Sequence, residues 1–356
     1  MYRPFLLAIF ALSSLGVQAQ QPTLTLHLDQ NAPAVSPGLY GLMTEEINFS
    51  YEGGLYGELI RNRSFKDSSH EAAFWALLQD ADGKSAMTLD KKNGISEALP
   101  VSLHLDVQNT GTRIANEGFW GIPIRPATTY QGSFYAKNSG TGAPLTITLE
   151  SRDGKTTYAT AEVTTNDQWH RYTFTLTTAA GITPTADARF VIAVKKPGDY
   201  WFSLVSLFPP TYHNRPNGNR ADIMQLLADM KPAFLRLPGG NYLEGNTFSA
   251  RFDWKKTIGP LEQRPGHLSP WHYRSTDGLG LLEYLQWCED LNMEPLLAVF
   301  AGYVLNRDYL DAGPFLQPFV DDALDEIEYV MGDVNTRWGA QRAHDGHPQP
   351  FPLHYI

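Results

Sequence analysis

The sequence predicts an α/β fold: the N-terminal part of a (β/α)8 TIM barrel, with about four strands, interrupted by an inserted all-β jelly roll. On both sides of the insert, short apolar runs alternate with segments of helical period. These runs are continuous, as in parallel strands buried on both faces. Between them, residues 84–208 carry about eight short alternating segments separated by Gly, Asn and Asp turns, with no helical period.

The N-terminal residues have the pattern of a secretory signal peptide. Arg3 supplies the positive charge, Phe5–Leu15 the apolar stretch and Val17-Gln18-Ala19 the small-residue cleavage pattern. We therefore expect residues 1–19 to be removed near Ala19 and the protein to be secreted or periplasmic. The apolar stretch is too short to span a bilayer. Cys288 is the only cysteine, so no internal disulfide is expected.

Composition limits the classes of partner. A net charge of -10 and a pI near 5.5 argue against nucleic acid. No later apolar run approaches bilayer length, so no membrane partner is expected either. Aromatic residues at 12% suffice for stacking on sugar faces, but also for an ordinary β-rich core, and do not discriminate between the two. The histidines form no constellation that would hold a metal.

Residues 20–66 are predicted to form an N-terminal strand and the first βα unit of the barrel. Thr23–Asp29 alternates between apolar and polar residues, which indicates a half-buried strand. Leu39–Met43 is a continuous apolar run with the polar group Thr44–Asn48 at its carboxyl end. Leu55–Ile60 then has the spacing of a short amphipathic helix.

Residues 211–356 are predicted to continue the barrel with three more strands and three helices. The helices are indicated by apolar residues at helical spacing: Ile223, Leu226, Leu227 and Met230; Leu281, Tyr284, Leu285 and Cys288; Val320, Ala323, Leu324 and Ile327. The strands are Ala233–Leu237, Pro295–Ala301 and Phe351–Ile356. The acidic positions of the third helix, Asp321, Asp322, Asp325, Glu326 and Glu328, are interpreted as its solvated face.

An open doubly wound sheet is the alternative to a barrel. No G-x-G-x-x-G follows any of the strands, which weakens the nucleotide-binding version of that fold and favours the barrel. The barrel would be incomplete, because four strands cannot close an eight-stranded barrel.

Arg236 is the only charged residue in the run Ala233–Leu237. An unpaired guanidinium in a buried strand carries a large desolvation penalty, so we expect it to have an acidic partner. Gly239-Gly240 lets the chain turn sharply, so that Asn241 faces the same crevice at the carboxyl end of the strand. The alternative is that Arg236 pins a loop through a structural ion pair.

Six segments resemble the α-L-arabinofuranosidases of glycoside hydrolase family 51. The match runs in order over nearly the whole mature sequence. Residues 84–208 are similar to the carbohydrate-binding-like β-sandwich of one branch of this family. The matching segments are Gly41–Asn48, Gly53–Phe65, Phe234–Gly245, Trp254–Pro260, Tyr273–Gly280 and Trp338–Ala343.

The resemblance implies a retaining hydrolase that removes terminal non-reducing α-L-arabinofuranosyl groups from arabinoxylan- or arabinan-type polysaccharides, with no cofactor. Such chemistry uses two carboxyl groups about 5–5.5 Å apart, an acid/base and a nucleophile. In the family the acid/base follows a Gly-Asn sequence at the end of the fourth strand. Pro350–Ile356 matches the residues just before it. Both catalytic glutamates are therefore expected beyond Ile356, and the chain as given is expected to be truncated and inactive.

The resemblance carries three site residues onto this chain. Glu45 and Asn241 match residues that bind the arabinose, and Arg236 matches the arginine that orients the nucleophile. The alternatives are a carboxylate that caps a neighbouring segment for Glu45 and an ordinary turn residue for Asn241. Trp271 and Tyr273 are candidates either for the entrance of the site or for loop packing.

Two rival hypotheses remain beside the truncated hydrolase. One is a non-catalytic glycan-binding protein that works through the sandwich at residues 84–208. The other is a half-barrel completed by a separately encoded partner, which would supply the remaining strands and both carboxylates.

Overall fold

The computed structural model describes residues 23–27, 29, 33–79 and 83–356, and the predicted signal peptide lies outside these ranges. The chain divides into two compact units, Met1–Ser36 and Pro37–Ile356. In the first unit, residues 23–27 form no strand, and Leu24 and Leu26 are 84% and 71% exposed. The predicted strand Thr23–Asp29 is therefore wrong for these residues. Alternation alone does not form a strand, which needs a backbone partner.

The helices and strands are numbered in chain order. The strands are β1 Leu42–Met43, β2 Trp75–Leu78, β3 Ala86–Asp90, β4 Ser102–Val107, β5 Arg113–Asn116, β6 Thr129–Asn138, β7 Ala143–Ser151, β8 Thr157–Thr165, β9 His170–Thr177, β10 Ala188–Val194, β11 Gly198–Phe208, β12 Phe234–Leu237, β13 His267–Leu268, β14 Arg274–Ser275 and β15 Glu294–Leu297. The helices are α1 Ala221–Asp229, α2 Asn241–Glu244, α3 Leu281–Leu291, α4 Gln317–Met331 and α5 Arg337–His344. Short 3-10 turns cover Tyr212–Asn214, Phe248–Ala250, Trp254–Lys256 and Leu261–Gln263.

The inserted β-domain is a sandwich of two five-stranded antiparallel sheets. The strand orders are β2-β5-β10-β7-β8 and β3-β4-β11-β6-β9. Alternate residues of the long strands point inward, and Phe134, Ile147, Phe190 and Phe202 are fully buried in the shared core. The predicted all-β insert is therefore confirmed. It extends further than predicted, because β2 lies before residue 84 and pairs with β5.

The barrel part contains a parallel sheet in the order β1-β12-β15. An isolated parallel bridge from Leu296 to Tyr355 continues this order, but the predicted fourth strand Phe351–Ile356 is otherwise not formed. Met43 pairs with Arg236, and Arg236 pairs with Leu296. Because strands that follow one another in the chain are neighbours in a parallel sheet, this is the arrangement of consecutive βα units.

The two faces of this sheet differ in coverage. Leu235, Leu237 and Leu297 point toward the helices and are fully buried. On the other face, Met43 is 56% and Tyr355 59% exposed. The expectation of strands buried on both faces is wrong here. An inner face is covered only when a sheet closes or another layer packs on it, and the described residues supply neither.

The helices lie close to their predicted positions in the sequence, but the faces that they bury agree less well with the prediction. In α3, Leu281, Tyr284 and Leu285 are fully buried, as their spacing predicts. In α1, Met224 is the fully buried residue, whereas Leu226 of the predicted apolar face is 66% exposed. No helix within the described ranges is both long and apolar enough to cross a lipid bilayer.

Helix α4 buries a different face from the one predicted, although Ile327 of the predicted apolar face packs against the core and Asp321 is exposed as predicted. Glu326, predicted to be solvated, is 3% exposed, whereas Leu324 is 60% exposed. Burial raises the pKa of Glu326, and the nearby Asp322 carboxylate adds to this. Asp322 is held by Lys255 at 2.8 Å and by Arg251 at 3.5 Å. These cations lie in the segment before α3 and draw the acidic side of the helix toward the protein.

The predicted helix at Leu55–Ile60 is also wrong. An irregular turn at Tyr51–Leu55 precedes an extended segment, in which Leu59 N donates to Leu207 O of β11 at 2.9 Å. Within this segment Glu58 pairs with Arg63 at 3.0 Å, and both side chains are 2% exposed. The local apolar spacing does not decide the structure here, because hydrogen bonding to the carboxyl-terminal part of β11 satisfies the backbone as well as a helix would.

Glu58 and Arg63 connect the sandwich to the barrel part. Glu58 accepts hydrogen bonds from Ser206 Oγ at 2.5 Å and from Leu207 N at 2.9 Å, both in β11. Arg63 donates to the Tyr56 hydroxyl at 3.3 Å, and that hydroxyl also donates to Asn217. A buried hydrogen-bonded network therefore crosses the junction of the two regions.

Candidate functional site

The predicted site residues meet at the carboxyl edge of the parallel sheet. Glu45 follows β1, and the turn Pro238–Gly240 follows β12. A hydrogen bond from Thr44 N to Arg236 O at 3.0 Å extends the ladder beyond β1. The carboxyl ends of neighbouring parallel strands face the same side, so both polar segments are brought to one place.

Glu45 contacts the segment that follows β12. Its Oε1 accepts a hydrogen bond from Tyr242 N at 2.5 Å, and so satisfies one of the free donors at the start of α2. The side chain is half-buried. Its other oxygen, Oε2, receives no hydrogen bond from the described residues. Glu45 therefore caps a neighbouring segment and keeps one oxygen available for a ligand hydroxyl.

Gly239 makes this contact possible. Its φ is +120°, and a Cβ there would lie 2.7 Å from Glu45 Cβ and 2.8 Å from Thr44 O. Any side chain would therefore displace Glu45 from the start of α2. The Gly-Gly turn is required by the close approach of two backbones as well as by its conformation.

Asn241 is the first residue of α2 and is exposed. It directly precedes Tyr242, the residue whose amide binds Glu45. Its side-chain amide makes no hydrogen bond within the described part of the chain, which leaves its N–H donors and its oxygen acceptor open. Glu45 and Asn241 therefore present an acceptor and a donor–acceptor pair at neighbouring points of the same edge.

Arg236 points away from the helices. It shares its register with Met43 and Leu296, on the open face of the sheet, and is half-buried. Its guanidinium forms no ion pair with any described residue, so the expected acidic partner is not found there. Burial raises the pKa of Glu244, the Glu45 carboxylate adds to this rise, and Arg236 opposes it. Arg236 therefore acts electrostatically on the same corner as Glu45.

Tyr242 holds α2 in place from its buried side. It is fully buried, and its hydroxyl donates to Ser275 Oγ at 2.9 Å. Asp277 lies 3.4 Å from the same hydroxyl and pairs with His267 at 2.9 Å. Burial raises the pKa of Tyr242, and the Asp277 charge adds to this. This buried cluster fixes the position of the helix that presents Asn241.

Two further carboxyl groups lie beside the site: Glu46, which is buried and to which the sequence prediction assigned no catalytic role, and the half-buried Glu52, which it did not single out. Glu46 is 1% exposed, and its Oε2 accepts a hydrogen bond from Tyr51 N at 2.7 Å. Burial raises the pKa of Glu46 to about 8, and the neighbouring Glu52 adds to this. Glu52 accepts a hydrogen bond from Thr276 N at 2.9 Å, and burial raises its pKa to about 7. Adjacent side chains of an extended segment point to opposite sides, so the exposure of Glu45 could have indicated the burial of Glu46.

Tyr273 packs against the turn that follows Glu46. Its hydroxyl accepts a hydrogen bond from Phe49 N at 2.9 Å, and the two rings stack at 4.2 Å. Trp271 is half-buried, and its Nε1 has no hydrogen-bond partner among the described residues. Tyr273 therefore lies beside the site, and both roles named for Trp271 stay predictions.

The arrangement is suited to binding a polyhydroxylated ligand. A half-buried carboxylate, an open amide and a half-buried guanidinium lie at the carboxyl ends of neighbouring strands, where (β/α) barrels place their sites. Within the described ranges, no group of His, Cys, Asp and Glu side chains is placed to hold a metal ion. Together with the β-sandwich, the fold and site define a (β/α)-barrel protein with an inserted β-domain and a polar site at the carboxyl ends of its strands.

Comparisons with known proteins identify the family. Residues 226–356 match the profile of the alpha-L-arabinofuranosidase 1 domain, and residues 57–199 match that of a carbohydrate binding domain. A probable alpha-L-arabinofuranosidase A of Aspergillus flavus is 38% identical over 328 residues, which are 89% of this chain and 51% of the relative. Alpha-L-arabinofuranosidase 1 of Arabidopsis thaliana is 33% identical over 360 residues, which are 96% of this chain and 52% of the relative.

A solved structure agrees with these matches. An arabinose-bound family 51 α-L-arabinofuranosidase superimposes with a TM-score of 0.84 at 38% identity, over 90% of this chain and 53% of the other. The chain belongs to the α-L-arabinofuranosidases of glycoside hydrolase family 51. It spans about half the length of the curated relatives that it matches.

Proposed function

We propose that this chain provides the arabinose-binding side of a retaining glycoside hydrolase that releases terminal non-reducing α-L-arabinofuranosyl residues from arabinoxylan- or arabinan-type polysaccharides. The observation that carries this proposal is the corner formed by Glu45 and Asn241, where one carboxylate oxygen and one amide are open to a ligand. Relatives of this chain, alike over about nine-tenths of its length, are named α-L-arabinofuranosidases.

In this proposal each residue has a distinct role. Glu45 Oε2 accepts a hydrogen bond from an arabinose hydroxyl, and the Asn241 amide binds a neighbouring hydroxyl. Arg236 orients and stabilises the nucleophile carboxylate, because an unpaired guanidinium in a half-buried position attracts an anion. No step requires a cofactor.

The acid/base and nucleophile carboxylates are proposed to come from residues beyond Ile356. Three carboxylates at this edge each accept a hydrogen bond from a backbone amide: Glu45 from Tyr242 N, Glu46 from Tyr51 N and Glu52 from Thr276 N. A retaining mechanism needs two carboxyl groups about 5–5.5 Å apart across the scissile bond. The 356-residue chain alone is therefore proposed to bind arabinose without hydrolysing arabinosides.

Two measurements test this proposal. The chain is expected to bind L-arabinose in calorimetric titration, and Glu45→Gln and Asn241→Ala are expected to weaken that binding. Glu97→Gln, at an exposed carboxylate far along the chain, serves as the control. The chain is expected not to hydrolyse 4-nitrophenyl α-L-arabinofuranoside, whereas protein extended past Ile356 is expected to do so. Hydrolysis by the chain alone, or equal binding by all variants, would contradict the proposal.

Secretion or periplasmic export is proposed on the basis of the N-terminal sequence. Export of the expressed chain with loss of the first 19 residues, read by N-terminal sequencing, is the expected outcome. Retention in the cytoplasm with an intact N-terminus would contradict it.

Glycan binding by the sandwich is a second candidate function. The match to a carbohydrate binding domain favours it, and so does a cavity of about 840 Å³ against the outer face of β6 and β9. Gln131, Tyr135 and Arg171 line this cavity. In affinity electrophoresis through arabinoxylan, Tyr135→Ala and Arg171→Ala should reduce the retardation of the chain. Unchanged mobility of both variants would remove this candidate.

A further inference from the structure

A cluster of aromatic side chains lies where the turn after β1 meets a loop of the sandwich. We call it the aromatic platform: Phe49, Phe74, Phe119 and Trp120, gathered around Arg61. The Phe49 ring meets the Trp120 ring edge-on at 5.4 Å and the Phe119 ring at 6.2 Å. The Arg61 guanidinium lies 3.7 Å from the centre of the Phe74 ring and 5.0 Å from that of Phe49.

The platform is more exposed than an ordinary core cluster. Trp120 is 65% exposed and Phe74 is 48% exposed. The Arg61 guanidinium has neither an ion pair nor a hydrogen bond to the described residues, so its planar N–H groups are free to donate outward. Large exposed aromatic faces beside an unpaired guanidinium are typical of a binding surface.

Three residues of the platform have a left-handed backbone conformation. Phe49, Phe74 and Trp120 have φ values of 60°, 68° and 67°, a region that bulky residues rarely adopt. Strain of this kind persists only where the surrounding structure enforces it, and it clusters at functional sites. Gly53 shows how tightly the rings are held, because a Cβ there would lie 2.6 Å from the Phe119 ring.

The platform adjoins the candidate sugar site. Glu45 O accepts a hydrogen bond from Ser50 Oγ at 2.5 Å, which closes the turn that carries Phe49. Tyr273 stacks on Phe49 from the barrel side. On its other side, Trp120 lines a groove of about 440 Å³, within the about 300–1,000 Å³ range of small-molecule sites. The surface therefore continues from the strand ends, across the platform, into a groove between barrel and sandwich.

Trp201 provides a contrast within the same sandwich. His104 stacks on its ring at 4.8 Å, Lys137 lies 5.1 Å from the ring centre, and Nε1 donates to Asp90 at 3.0 Å. Both the ring and the polar tip of Trp201 are thus occupied by the protein. The indole of Trp120 is not enclosed in this way.

We propose that the aromatic platform is a subsite for the main chain of the polysaccharide. A neutral sugar ring next to the arabinosyl branch stacks its apolar face on Trp120, and Arg61 donates hydrogen bonds to the hydroxyls at the rim of that ring. The sandwich therefore contributes a specificity-determining residue to the barrel site. This inference rests on the proposed function, because the platform recognises what is attached to the arabinose.

Titration of the full chain with two probes tests the subsite. The probes are L-arabinose and an arabinose-substituted xylo-oligosaccharide. Trp120→Ala should weaken oligosaccharide binding by about five- to tenfold, the loss expected for one aromatic contact, and leave L-arabinose binding unchanged. Arg61→Gln should weaken oligosaccharide binding in the same direction. Trp169→Ala, which removes another sandwich indole, is the matched control and should change neither value.

The outcomes separate this inference from the proposed function. Unchanged oligosaccharide binding by Trp120→Ala, with near-UV circular dichroism like that of the native chain, overturns the subsite while L-arabinose binding still supports the function. Equal losses for both probes overturn it too, since Trp120 would then act on the arabinose itself. If the native chain binds neither probe, the proposed function and the subsite both fail.

Discussion

The sandwich and the parallel sheet bury their residues in opposite ways. In the sandwich, two hydrogen-bonded sheets face each other, and residues such as Phe190 and Phe202 are sealed between them. In the barrel part, Leu235 is equally buried against helices, but Met43 on the other face is 56% exposed. The sandwich completes its own core, whereas the parallel sheet completes only one side. The candidate site lies at the carboxyl edge of this parallel sheet. The positions of its side chains therefore depend on how firmly the sandwich holds the barrel part.

The largest expected effect is at the junction between these two regions. Glu58→Ala should lower the free energy of unfolding by about 3–5 kcal/mol, because it removes the ion-pair partner of Arg63, whose side chain is 2% exposed. Chemical denaturation monitored by far-UV circular dichroism measures the loss. As a control, Glu162→Ala removes the exposed pair with Lys195 and should cost at most about 1 kcal/mol. Equal costs for the two variants would show that the junction does not couple the regions.

Two substitutions in the parallel sheet test directly whether its two faces differ in burial. Leu235→Ala should cost about 2–5 kcal/mol, since its fully buried side chain leaves a cavity against the helices. Leu296→Ala, half-buried on the open face, should cost about 1 kcal/mol or less. Thermal and urea unfolding provide both values. Similar losses at the two positions would mean that the open face is covered in solution.

The pH dependence of stability should report the buried carboxyl group beside the site. Burial raises the pKa of Glu46 from 4.5 to about 8, so the folded chain retains a proton that the unfolded chain releases. The stabilisation is fully present below pH 4.5 and is lost as the pH rises to about 8, an effect on the order of a few kcal/mol. Glu46→Gln should flatten this slope, measured as the urea midpoint between pH 5 and 9, because the amide does not titrate.

Glu52 determines how much of the pH dependence of stability should remain in the Glu46→Gln variant. Burial raises its pKa to about 7, so part of the pH dependence should persist in Glu46→Gln and vanish only in the double variant Glu46→Gln/Glu52→Gln. Glu97→Gln should leave the slope unchanged. A native chain whose stability rises between pH 5 and 8 would contradict the burial of both groups.

Much of the fold could be predicted because its signals are local. Alternation at residues such as Leu145, Ile147 and Leu149 predicts a strand with one buried face, and β7 has that pattern. The failures have long-range causes. Leu55–Ile60 has helical spacing but pairs with β11, and Thr23–Asp29 alternates although residues 23–27 form no strand. Neither outcome is determined by the residues of the segment itself.

The candidate site was predictable for a different reason. Glu45 and Asn241 follow strand ends, and parallel strands bring such residues together whatever lies between them. Phe49 and Trp120 carry no such signal. Their burial or exposure depends on how a sandwich loop and the turn after β1 pack together, across a separation in sequence that no local pattern spans.

The smallest expected effect is on the outer face of α4. Its exposed apolar residues Val320 and Leu324 have helical spacing, and spacing alone predicts that they face the core. Lys255 and Arg251 instead hold the acidic side inward, through Asp322. Leu324→Ser should therefore change the free energy of unfolding by no more than about 0.5 kcal/mol, whereas Tyr329→Ala, at a fully buried position, should cost about 3–5 kcal/mol. Denaturant unfolding of both variants measures the two changes in the free energy of unfolding. A loss above about 2 kcal/mol for Leu324→Ser would mean that α4 buries this face in solution, and the ion pairs would then not explain its orientation.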